Sequence, residues 1–152
     1  MLKKLTLPVY LLCGAAILAL AGLIVGIMSN GIEGYAIPNF GLTIAFSIIS
    51  IVLAGGVAFS AIKFGNQHFI SAAGRVAIII LLAIGLAFII TNRVEVVSML
   101  SWDRDNQATV NAWNTGLVSV ILFVVADLVV IVSGFFGDKA KQEAPAQEAP
   151  AQ

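Results

Sequence analysis

The chain has 152 residues, 60% of them hydrophobic and only 11% charged, with a formal net charge of zero. A soluble globular domain carries about 45–50% apolar and about 25% charged residues, so both departures point to lipid as the solvent. The neutral balance excludes the electropositive field that nucleic acid requires, and a single cysteine, Cys13, excludes an internal disulfide or a multi-cysteine metal site.

Four apolar segments follow one another. They cover Pro8–Met28, Gly41–Ile62, Ala72–Asn92 and Leu117–Phe136. Each is about 20 residues, or roughly 30 Å as a helix, which matches the hydrocarbon thickness of a bilayer. Backbone groups in lipid must be satisfied within the segment, so the segments read as transmembrane helices. The short alternating segments of a membrane barrel are missing from the sequence.

The first segment follows Lys3 and Lys4, and Pro8 stands in its first turn, where a missing N–H does no harm. Met1 to Lys4, the apolar stretch and Ala19-Leu20-Ala21 also fit a secretory signal. The apolar run continues to Met28, which favours a retained anchor. Cys13 lies inside this run and reads as a small hydrophobe. Ala15, Ala19, Gly22 and Gly26 recur at close-packing intervals, including Gly22-x-x-x-Gly26, a pattern shared by dimers and by bundles within one chain. Ser29 to Phe40 is a connection rich in turn formers.

The second segment carries a stripe of Thr43, Ser47, Ser50, Ala54, Ala58 and Ala61. Its hydroxyls suit bonding to a neighbouring helix. A short basic connection follows, with Lys63, His68 and Arg75; a lone histidine there reads as solvated. The third segment adds Gly74, Ala77, Ala83, Gly85 and Ala87.

Between the third and fourth segments, Val94, Val97 and Leu100 continue a helical period, and Ala108 and Ala112 begin another. Trp102-Asp103-Arg104-Asp105-Asn106 forms a polar break with capping residues. The expectation is therefore that the last two helices run on, over about 72–101 and 106–136, as an outer helical hairpin. Trp102, Asp103, Arg104, Asp105 and Trp113 form a candidate recognition surface there. The tryptophans also suit the membrane–water boundary. The tail, 138–152, repeats Glu-Ala-Pro-Ala-Gln and has nothing to bury, so disorder is expected outside a transmembrane domain of residues 1–137.

Asp127 lies in the middle of the fourth segment. A carboxylate at bilayer depth costs roughly 3 kcal/mol or more unless paired or neutralised. Gly116, Ser119, Phe123, Asp127 and Gly134 recur near one- or two-turn spacing, as on a packed face. Asp127 and Ser50 are at comparable depth from one side, which predicts a hydrogen bond from Asp127 to Ser50 or Ser47 if their helices are neighbours. The candidate polar site is thus Asp127, Ser50, Ser47 and Ser119. A proton relay at Asp127 is the functional counterpart, but no second intramembrane acid or histidine continues a path.

Lys3, Lys4, Lys63, Arg75, Lys139 and Lys141 fall on one side, against Arg93 and Arg104 on the other. The positive-inside rule then places both termini in the cytoplasm of a multi-pass plasma (inner) membrane protein. No nucleotide loop, His-Glu-x-x-His, Cys-x-x-Cys or Ser/His/Asp grouping is present, so no catalytic residue, metal or cofactor is expected. The sequence therefore reads as an all-α integral membrane protein, a four-helix antiparallel bundle in the lipid bilayer. Its expected role is non-enzymatic: a partner subunit or an assembly scaffold, with a membrane-protein partner or a homo-oligomer. The alternatives are a small oligomeric transporter or channel using Asp127, and an intramembrane lipid-binding protein.

Overall fold

Four helices and no strand make up the described part of the chain: α1 (Leu7–Asn30), α2 (Phe40–Phe64), α3 (Phe69–Leu100) and α4 (Gln107–Phe135). The structure is a computed structural model and describes residues 6–66, 68–100, 102 and 105–136. The expectations for Lys3, Lys4, Asp103, Arg104, Lys139, Lys141 and the repeated tail fall outside those residues. Each helix is long and apolar enough to cross a membrane. α3, with 32 residues, and α4, with 29, exceed α1 and α2, with 24 and 25.

Local chemistry places the helix ends. Pro8 occupies the first turn of α1. The Asn106 side chain accepts a hydrogen bond from the Ala108 N–H at 3.0 Å and caps α4. Gly65 stops α2 with a φ of 100°, a conformation open to glycine and costly for most other residues.

The inside of the bundle is a single seam on each helix. On α4 the buried residues are Thr109, Ala112, Gly116, Ser119, Phe123, Ala126, Val130 and Ser133, in alternating steps of three and four. α2 repeats the pattern with Phe40, Thr43, Ser47, Ser50, Ala54, Val57 and Ala61. Leu12, Ala15, Ala19, Gly22, Gly26 and Ser29 do the same on α1. This is the heptad spacing of helices that cross at about 20° with interlocking side chains. The opposite faces carry exposed Ile17, Val52, Val76 and Ile121, as lipid contact requires.

Small seam residues bring the helices together, and the larger ones fill the space left. Leu122 and Phe123 of α4 pack so closely on Gly22 that an added Cβ would sit 3.2–3.3 Å from them. Ile78, Leu82, Ile89 and Phe123 occupy the middle, each at most 2% exposed. A void of about 10 Å³ beside Ala19, Ser50 and Val130 remains on the axis, at the lower limit for one water molecule. α1 packs on α2 and α4, and α3 packs on α2 and α4, so α2 and α4 stand across the bundle from each other.

Gly74 of α3 faces Val57 of α2 at the tightest of these approaches, where an added Cβ would overlap the Val57 Cγ2. Gly74→Ala is therefore expected to lower the unfolding free energy by about 1–3 kcal/mol. Val57→Ala made alongside it should recover most of the loss, because the two changes share one space. Denaturant titration of the purified protein in detergent micelles, read by circular dichroism, measures both.

Candidate functional site

α3 carries two arginines, Arg75 and Arg93, on its inward face. They are eighteen residues apart, which is five turns, so they share one side of the helix at about 27 Å separation. That distance is close to the roughly 30 Å hydrocarbon thickness. The two guanidinium groups thus mark the two ends of the bundle's apolar interior, and both are more deeply buried than Asp127.

Arg93 crosses the α4 backbone at Gly116, where an added Cβ would lie 3.2 Å from its side chain. It then donates from Nη2 to the Ser29 carbonyl at 2.8 Å and to the Ser29 hydroxyl at 2.7 Å, and from Nη1 to the Tyr35 carbonyl at 2.9 Å. Ser29 belongs to the last turn of α1, whose final carbonyls have no partner within the helix. The partial negative charge at that terminus favours a cation. The α1–α2 connection is tied down at the same place. The Tyr35 hydroxyl meets the Thr109 hydroxyl at 2.5 Å, and the Asn30 side chain accepts from the Ile37 N–H at 2.6 Å. The Arg93 Nε is buried without an acceptor.

Arg75 repeats the arrangement at the far end. It donates to the Ser133 hydroxyl at 3.1 Å, to the Asn66 carbonyl at 3.0 Å, and to the Asn66 side-chain oxygen. The Asn66 amide in turn donates to the carbonyls of Ser133 and Phe136, at the C-terminal end of α4. Gly134 lies against the Arg75 side chain. Ser60 and Ser71 add a hydroxyl pair at 3.1 Å between α2 and α3.

The sequence-predicted polar site is not assembled. Asp127 forms no hydrogen bond with Ser50 or Ser47, because α2 and α4 lie diagonally across the bundle. Ser50 donates instead to the Phe46 carbonyl of its own helix at 2.7 Å, and the Ser47 hydroxyl is buried without a partner beside Gly85. Ser119 donates to the Gly22 carbonyl of α1 at 2.8 Å, a bond between neighbouring helices. The seam of α4 passes through Ala126 and Val130, so Asp127 falls on its flank, half-buried. Its Oδ1 is nevertheless shielded and has no hydrogen-bond partner.

Asp127 extends a stripe of Trp113 and Val120 at seven-residue spacing. Trp113 and Val120 line a groove of about 270 Å³ together with Ile90, Val94 and Val97 of α3. Asp127 is not among the groove's lining residues and lies two turns, about 10 Å, along α4 from Val120. Between α3 and α4, Trp102 is 92% exposed and Asp105 is also exposed. His68 is exposed, with its ring centre 5.3 Å from that of Phe64.

Sequence reasoning used Arg75 and Arg93 as markers of orientation and missed their place in the interior. Their five-turn spacing, in register with Ile78, Leu82 and Ile89, was the available signal. Among the described residues no group of His, Cys, Asp and Glu is arranged to hold a metal. No protein-family model matches the chain, and no curated protein or solved structure is similar to it.

Arg93→Lys keeps the charge, but an ammonium lacks the planar fork that spans Ser29 and Tyr35 together. The substitution is expected to lower stability by about 1–3 kcal/mol through the carbonyls left unpaired. Unfolding in mixed detergent micelles measures it, and an unchanged midpoint would show that the fork carries no weight.

Proposed function

We propose that the chain is a non-enzymatic subunit of a membrane assembly, with the flank of α4 as its docking face. In this reading it is an antiparallel four-helix bundle in the plasma (inner) membrane, with both termini cytoplasmic and the α3–α4 hairpin projecting outside. A partner helix lies along the groove between α3 and α4. Trp113 and Val120 supply apolar contact, and Asp127 supplies a hydrogen bond. Trp102 and Asp105 at the hairpin tip extend the contact beyond the membrane.

The observation that carries this reading is the shielded, unpartnered Oδ1 of Asp127, on the stripe of α4 that lines an open apolar groove two turns away at Val120. Polar groups within a bilayer find partners, and a helix brought alongside provides one at little cost. Transport through a single copy is the weaker reading. The void on the bundle axis is about 10 Å³, and Asp127 is not on that axis.

An interhelical hydrogen bond in lipid contributes roughly 0.6–2 kcal/mol, so Asp127→Leu should weaken association by about 3- to 30-fold, and Asp127→Asn by less. Co-purification of tagged with untagged copies in a mild detergent, with identification of any other bound protein, reads both homo- and hetero-assembly. A wild-type chain that purifies alone as a monomer would sink the proposal, as would an assembly indifferent to Asp127→Leu. Flux across liposomes that is lost in Asp127→Asn would instead establish the transport reading.

A further inference from the structure

Beneath the α1–α2 connection is a cavity of about 200 Å³, lined by Tyr35, Pro38, Asn92, Arg93, Glu95 and Met99 among others. Pro38 and Asn92 also line an adjoining groove of about 370 Å³, which follows α3 past Phe88, Ala87 and Ile84. The two compartments differ in chemistry. The cavity is lined by an arginine, a glutamate and an asparagine, whereas the groove wall along α3 is mostly apolar.

Charge and depth identify the occupant. The acceptors of Arg93 are neutral carbonyl and hydroxyl oxygens, so among the described residues no carboxylate answers its buried charge. Glu95 is exposed and forms no ion pair among the described residues. The cavity therefore holds a positive and a negative group that do not neutralise each other. Arg93 lies about 27 Å along α3 from Arg75, at the boundary of the hydrocarbon layer. Ile84 is nine residues deeper, about 13 Å toward the middle. Polar at the boundary and apolar below it is the profile of a membrane lipid. The combined space falls within the roughly 300–1,000 Å³ of small-molecule sites.

We propose that this cavity and groove bind one phospholipid with a zwitterionic aminoethyl-phosphate headgroup. The phosphate sits between Arg93 and Asn92, the ammonium meets Glu95, and an acyl chain follows Phe88, Ala87 and Ile84. An anionic lipid with an uncharged head satisfies Arg93 but leaves Glu95 facing a like charge. The site shares Arg93 with the rim of the α3–α4 groove but does not include Asp127, Trp113 or Val120, and its lipid preference stands independently of the docking role.

The test uses the purified full chain in detergent, with phosphatidylethanolamine or phosphatidylglycerol of identical acyl chains added. Native mass spectrometry is expected to find one phosphatidylethanolamine retained per chain, with about a tenfold preference over phosphatidylglycerol, the scale of one charge-assisted contact. Thermal unfolding should shift upward in the same order. Glu95→Gln, at an exposed position, should unfold normally without lipid yet lose the preference. Ala87→Trp, which fills the groove, should lower retention of both lipids. Equal retention of the two lipids by the wild type, retention of neither, or a preference that survives Glu95→Gln would overturn the assignment.

Discussion

A buried guanidinium that ties α3 to the C-terminal end of another helix organises this molecule, and it occurs twice, directly at α1 and through Asn66 and Ser133 at α4. Arg93 holds the last turn of α1, and Arg75, through Asn66 and Ser133, holds the last turn of α4. Each arginine supplies a cation to a terminus whose dipole favours one; the donor to the terminal carbonyls is Arg93 itself at α1 and the Asn66 amide at α4. Both cations sit on one face of one helix, so α3 fixes α1 at one end of the bundle and α4 at the other. Glycines make this possible. Gly116 and Gly134 lie where the two arginine side chains cross α4.

The remainder of the packing follows from the solvent. In a bilayer the surroundings are as apolar as leucine, so burying an aliphatic side chain does not by itself distinguish inside from outside. Close contact and hydrogen bonding do. The seams of α1, α2 and α4 are accordingly built largely of alanine, glycine, serine and threonine, while isoleucine and valine dominate the exterior. Ser119 bonding to the Gly22 carbonyl combines both devices, since the hydroxyl reaches the α1 backbone only because Gly22 and Gly26 let α4 approach.

A closed interior moves function to the periphery. The axis is filled by Ile78, Leu82, Ile89 and Phe123, and the polar layers at either end are engaged with helix termini. What stays open lies on the sides: the α3–α4 groove above Asp127 and the cavity under the α1–α2 connection. Arg93 borders both, with its guanidinium directed to Ser29 and Tyr35 and its Nε free of an acceptor beside Gly116. It joins a structural role to a charge that no carboxylate among the described residues neutralises.

The four helices were legible in the sequence because length, apolarity and end signals such as Pro8 and Asn106 are local properties. The small-residue stripes of Gly22 and Gly26 and of Ser47, Ser50 and Ala54 were legible too, since heptad spacing is visible along a single helix. Asp127 stood out as costly from composition alone. Its surroundings did not, because depth along a helix says nothing of which helices are neighbours. Ser50 and Asp127 match in depth, yet α2 and α4 lie diagonally, and the predicted bond does not form. The buried arginines were hidden for the same reason. In sequence Arg75 and Arg93 are charges near segment ends, and only the packing of α3 against α2 and α4 turns them inward. Sequence by itself determined four apolar helices and their small-residue faces. The order of helices around the bundle, and with it every polar partnership between them, was decided by tertiary packing, because those contacts depend on side chains far apart in the chain.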